Sequence, residues 1–137
     1  MVRVSCNILE AMFNRNYAGE KYTKIICGKD YDIPICPTID GNLVLLYYKN
    51  EDEWFCLSDE MFEFKVFGKK VSYRLNIFTH SKFAVKLEVK EGNSNKKDWS
   101  RLEVLDLNGN SIIIPVEKGK YVGTNRVLNF LIQKQKK

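Results

Sequence analysis

The sequence has one histidine, three prolines and no apolar run approaching the ~20 residues of a membrane-crossing helix. Its longest apolar run, Leu43 to Tyr48, has the length of a strand, so no membrane association is expected. Residues 1–6 lack the apolar core of a secretory signal, and the end Lys134-Gln135-Lys136-Lys137 lacks a prenylation cysteine. We therefore expect an intracellular protein, cytoplasmic or nuclear. Catalysis by a Ser-His or Cys-His pair would have to use His80, in the turn Thr79-His80-Ser81, and no nucleophile motif accompanies it. The glycines are scattered, with neither Gly-x-x-x-x-Gly-Lys nor Gly-x-Gly-x-x-Gly spacing, which excludes the usual phosphate loops. Cys6, Cys27, Cys36 and Cys56 form no close Cys-x-x-Cys pair and read as small core residues in a reducing compartment. The acids Glu51-Asp52-Glu53 lack the alternation of an EF-hand loop and read as a solvated turn. No enzyme activity, cofactor or metal follows from these residues.

The chain of 137 residues fits one domain, 1–137, large enough to build a core without disulfide or metal. Its charge is unevenly placed. Residues 1–60 hold 6 Lys and Arg against 10 Asp and Glu, whereas residues 61–137 hold 16 against 7. Such an asymmetry suits a basic face for an anion, or two complementary faces that meet between copies. Lysine outnumbers arginine 17 to 5 and asparagine is plentiful, a bias that AT-rich coding explains in part.

Periodicity is clearest from Met61 to Lys90. Phe62, Phe64 and Val66 alternate with Glu63 and Lys65; after a turn at Gly68-Lys69, Val71, Tyr73, Leu75 and Ile77 alternate with Ser72, Arg74 and Asn76. Phe83, Val85, Leu87 and Val89 repeat the pattern against Lys82, Lys86, Glu88 and Lys90. The period of two predicts three successive antiparallel strands with a basic outer face. Before them we expect a strand over Val2–Cys6, a short helix over Ile8–Phe13 capped by Asn7, and a strand over Tyr22–Cys27. Pro34 and Pro37 make Asp30–Gly41 an extended edge segment. Asn42–Lys49, apolar on both faces, pairs with Trp54–Leu57 across a four-residue connection, Asn50–Glu53. Glu91–Ser100 is the most polar stretch and reads as a loop. Within it Trp99 either folds over the core edge or waits for a partner.

Asn108-Gly109 predicts a type I′ hairpin joining Arg101–Leu107 to Asn110–Val116, with Leu105 opposite Ile112 and Val104 opposite Ile113. A final helix capped by Thr124 turns Val127, Leu128, Leu131 and Ile132 inward and Arg126, Asn129 and Gln133 outward. The fold expected is mainly β: an antiparallel sandwich or barrel of about eight strands with a C-terminal helix, an α+β sheet being the alternative.

The six residues Trp54-Phe55-Cys56-Leu57-Ser58-Asp59 resemble the strand-to-helix junction of the Bro-N and phage antirepressor DNA-binding domains, where an aromatic pair precedes an acidic helix start. The resemblance implies a helix after Asp59 and DNA binding. The alternation of Phe62–Val66 points instead to a strand there.

Cations occupy polar positions along the basic half, near the aromatics Phe67, Phe78 and Trp99. Sheet modules hold nucleic acid by such a combination of phosphate neutralisation and base stacking. The expected contacts are Lys65, Lys70, Arg74, Lys86, Lys96, Lys97 and Arg101, with Trp99 as the stacking platform. A non-enzymatic module binding nucleic acid with weak sequence preference is the first expectation. The alternative is a protein-interaction or self-associating subunit that joins its acidic 1–60 to another copy's basic 61–137.

Overall fold

Alternation, turn chemistry and one amphipathic stripe account for most of the architecture. The computed structural model describes residues 22–26, 39–92 and 99–136. The strand expected over Val2–Cys6, the helix over Ile8–Phe13, most of Asp30–Gly41, and both Lys96 and Lys97 lie outside them.

The fold is mainly β. Strands β1 (Thr23–Ile25), β2 (Leu43–Asn50), β3 (Glu53–Ser58), β4 (Met61–Val66) and β5 (Lys69–Arg74) form one antiparallel sheet in that order. Strands β6 (Phe78–Phe83), β7 (Arg101–Asp106) and β8 (Ser111–Pro115) form a second. Among the described residues two α-helices, α1 (Val85–Lys90) and α2 (Tyr121–Lys134), complete it. β2 is buried on both faces, as its unbroken apolar run requires: Leu45 and Tyr47 join the main core, while Leu46 packs with Trp54 and Cys56 on the other side.

The main core draws on both sheets and on α2. Phe62 of β4 is its hub, with ring centroids 5.8 Å from Phe55 and Tyr73 and 5.3 Å from Phe78 at the start of β6. Full burial of such a ring contributes roughly 2–3 kcal/mol. Val127, Leu128, Leu131 and Ile132 of α2 are all fully buried against this core. Gly41 is fixed by close approach: its φ is +94°, and a Cβ there would meet Asp59 Oδ1 at 2.5 Å. That carboxylate accepts the Asn42 N–H at 2.9 Å, holding the entry to β2 against the β3–β4 turn.

Several expectations are corrected. The meander ends at Arg74. Leu75–Ile77 is a turn of 3-10 helix, after which β6 joins the other sheet, and the third alternating run becomes helix α1 instead of a strand. No helix follows Asp59, because Met61–Val66 is β4, so the junction implied by the antirepressor resemblance is absent. The β2–β3 hairpin turns on Glu51 and Asp52 alone, with Asn50 opposite Glu53.

The Asn108-Gly109 hairpin is one residue out of the expected register: Val104 faces Ile112 and Leu105 faces Ser111. The Asp106 carboxylate accepts the N–H groups of Asn108 (2.8 Å) and Asn110 (3.0 Å). This builds a three-residue loop, Leu107 to Gly109, with only Gly109 at positive φ (+83°). Helix α2 starts at Tyr121, three residues before Thr124, which lies buried in its first turn. Asn129 and Gln133 face β6, not solvent.

Candidate nucleic-acid interface

The hairpin of β4 and β5 gathers the cations that remain available. Lys65 stands directly opposite Lys70, and Val66 opposite Lys69. Lys69 and Lys70 are exposed and Lys65 half-buried. Between the strands, Phe67 (φ +52°) and Gly68 (φ +78°) form a two-residue turn with both central positions left-handed. This is the type I′ geometry that normally selects Asn-Gly. A bulky side chain in that conformation costs about 1–2 kcal/mol. The Phe67 ring recovers none of it by burial, being 95% exposed.

Behind the turn lies a cleft of about 390 Å³ between the two sheets. Val66 and Phe67 of the hairpin, Leu87 of α1, and Ile113 and Pro115 of β8 make its apolar walls, with Glu53 and Arg101 as charged members. Glu53 and Ser100 separate it from a second cleft of similar volume, which Tyr47, Lys49, Glu117 and Lys118 also line. The Tyr47 hydroxyl donates a short hydrogen bond to Glu53 Oε2. Burial, helped by this negative partner, raises the Tyr47 pKa well above the ordinary phenol range. The Glu117 carboxylate accepts the Thr23 hydroxyl at 2.6 Å and the Tyr22 N–H at 2.9 Å, tying β1 to the chain ahead of α2.

The other expected contacts are placed differently. Arg101 is committed to two carboxylates, Glu88 of α1 and Glu91 at its C-cap. Its Nη2 lies 2.8 Å from Glu88 Oε1, and its Nη1 lies 2.7 Å from Glu91 Oε2. Glu88 is fully buried and also accepts the Ser100 N–H at 2.8 Å. The hydrogen bond from Arg101 holds the Glu91 carboxyl below the usual range, and the same pairing raises the Arg101 pKa. A guanidinium held this way is not a free phosphate ligand. Arg74 pairs with Asp40 at 2.8 Å and approaches Glu60 at 4.0 Å. Lys86 is exposed, but on α1, not on a third strand of the hairpin's sheet.

Trp99 is buried against Tyr121 (5.5 Å between centroids) and Phe83 (6.5 Å), so it is a core-edge residue with no face to offer a base. Phe78 is buried as well, which leaves Phe67 as the exposed member of the three aromatics. Phe67 and Lys69, near the basic face in sequence, were not among the expected contacts. The signal that marks them is an aromatic preceding glycine between two alternating runs, where Asn is the usual choice.

Burial pushes the Cys56 thiol up to about 12, consistent with a core role. His80 is exposed, with Nδ1 3.0 Å from the Thr79 hydroxyl. Among the described residues no three His, Cys, Asp or Glu side chains gather to hold a metal, and no helix is long and apolar enough to cross a membrane. Comparison with protein-family models, with curated proteins and with solved structures found no match for the chain.

Proposed function

We propose that the protein is a non-enzymatic binding module whose β4–β5 hairpin holds nucleic acid through its phosphates, with weak sequence preference, inside the cell. The observation that carries this reading is the clustering of Lys65, Lys69 and Lys70 beside a wholly exposed aromatic, Phe67, at the tip of one hairpin. Lysines are point charges suited to phosphate and poor at the bidentate reading of base edges, hence the weak preference. Association through complementary sequence halves has less support. β4 and β5, from the basic half, lie in one sheet with β1 to β3, and Arg74 already pairs with Asp40 and Glu60 of the acidic half.

Fluorescence anisotropy of labelled single- and double-stranded DNA and RNA tests the reading. Three lysine–phosphate contacts to a single strand imply that affinity falls roughly twentyfold between about 50 and 200 mM salt. The double substitution Lys69→Glu/Lys70→Glu is expected to abolish binding to every sequence alike. Undiminished affinity in that variant rejects the hairpin as the site.

A further inference from the structure

We infer that the cleft beside Phe67 receives one unstacked base of a single-stranded nucleic acid, which makes the ligand a single strand and not a duplex. The inference rests on the nucleic-acid reading of the hairpin. Its first support is the conformation of Phe67: an aromatic held at φ +52° with 95% of its surface exposed destabilises the free protein and packs against nothing. A side chain kept in that state is accounted for if its ring face is used by a ligand. The second support is the cleft, an open groove of about 390 Å³ with largely apolar walls, near the small end of ligand pockets and suited to one flat ring system.

The third support is polar. Glu53 lines the cleft, and one of its carboxylate oxygens is taken by the Tyr47 hydroxyl. The other accepts no hydrogen bond from a side chain among the described residues, which leaves it to take one from the N–H of a base in the cleft. Lys69, directly opposite Val66, stands on the face of the hairpin that the cleft opens on, where a phosphate flanking such a base would run; Lys65 and Lys70 stand on the opposite face, on the strand's onward path around the tip. A tryptophan or tyrosine side chain of a protein would fill the apolar walls and reach Glu53, but would leave the lysines unused. In a duplex the bases are stacked and paired, so the cleft is closed to them, whereas a single strand can splay one out onto an aromatic platform. A carboxylate favours bases with an exocyclic amino group, because thymine and uracil flank their one N–H with two carbonyls.

The test uses the full chain and five labelled DNA decamers: a mixed-sequence single strand, its duplex, the same backbone with every base removed, a thymine strand, and that thymine strand with one central cytosine. At about 50 mM salt the wild type is expected to bind the single strand roughly tenfold tighter than the abasic strand or the duplex, in line with the loss of one stacked base. Phe67→Asn, which suits a type I′ turn, is expected to lose that tenfold while its Tm rises by about 3 °C, so that weaker binding cannot be blamed on misfolding. Glu53→Gln is expected to erase a preference for the cytosine-bearing strand over plain thymine.

Equal affinity for intact and abasic strands overturns the cleft inference; if Lys69→Glu/Lys70→Glu still abolishes binding, the hairpin reading stands. Absence of binding to every decamer removes both. A Tm that falls in Phe67→Asn refutes the conformational cost on which the inference depends. Saturable binding of N-acetyltryptophanamide that oligonucleotides do not displace would assign the cleft to a protein side chain instead.

Discussion

Among the described residues, strands β6 and β5 are each the outermost strand of their sheet, and they are treated in opposite ways. On the side away from β7, β6 is covered by α2. Asn125, Asn129 and Gln133 recur every four residues on one helix face and bond to Ser81 and Thr79. Asn129 accepts the Ser81 N–H at 2.7 Å and donates to its carbonyl at 2.9 Å; Gln133 donates to the Thr79 carbonyl at 3.1 Å; the Ser81 hydroxyl bonds Asn125. On β5, the Leu75 N–H donating to the Glu60 carbonyl and the two-residue turn at Phe67-Gly68 fix the phase of the ladder, so that Lys70, Ser72 and Arg74 carry the backbone groups pointing away from β4. Among the described residues no strand or helix pairs with them.

A covered edge serves the core, since the helix that satisfies β6 also buries Leu128 and Leu131. An open edge has to be protected by charge, and Lys69, Lys70 and Arg74 supply it. The same charges leave β5 and its turn as the surface best suited to an anionic ligand.

This contrast is sharpest for proline, which removes a backbone donor. Ser81→Pro takes away a buried N–H that Asn129 accepts and is expected to cost about 3 kcal/mol in urea denaturation. Ser72→Pro, at an outward and exposed position of the open edge, should cost less than about 1 kcal/mol. Equal losses would mean that β5 is not a free edge. A smaller effect is expected from Asn129→Ala, which strips both backbone bonds from Ser81 and should cost about 2 kcal/mol by the same measurement, with little change in oligonucleotide affinity.

The smallest effect concerns pH. Glu91, held by Arg101, has a folded-state pKa below its ordinary value of 4.5. Its contribution is therefore present above about pH 4.5 and lost as pH falls through the lowered value. Glu91→Gln should lower Tm at pH 7, and the gap to wild type should close in acid. Asp40→Asn at the exposed Arg74 pair beside β5 should leave Tm unchanged at pH 7.

Part of the candidate site was legible in advance. Alternation located β4 and β5 and put Lys65 and Arg74 on the polar side, because a period of two assigns faces without reference to the rest of the chain. Trp99 was legible only as a choice between two fates, and Tyr121 and Phe83, distant in sequence, decided it. The turns show the same limit. Asn108-Gly109 carries the stronger type I′ signal, yet the Asp106 carboxylate draws it into a three-residue loop, while Phe67-Gly68 takes the type I′ form.

By itself the sequence determined that the protein is mainly β with an amphipathic C-terminal helix, since these depend on local period alone. Tertiary structure decided the rest, and the segment 85–91 shows why. Its alternation fits a strand, but in a strand Glu88 and Glu91 would point to opposite faces. Only as a helix does the segment bring both carboxylates, three residues apart, onto the single guanidinium of Arg101. That choice depends on a residue in a different strand, and no reading of the segment alone contains it.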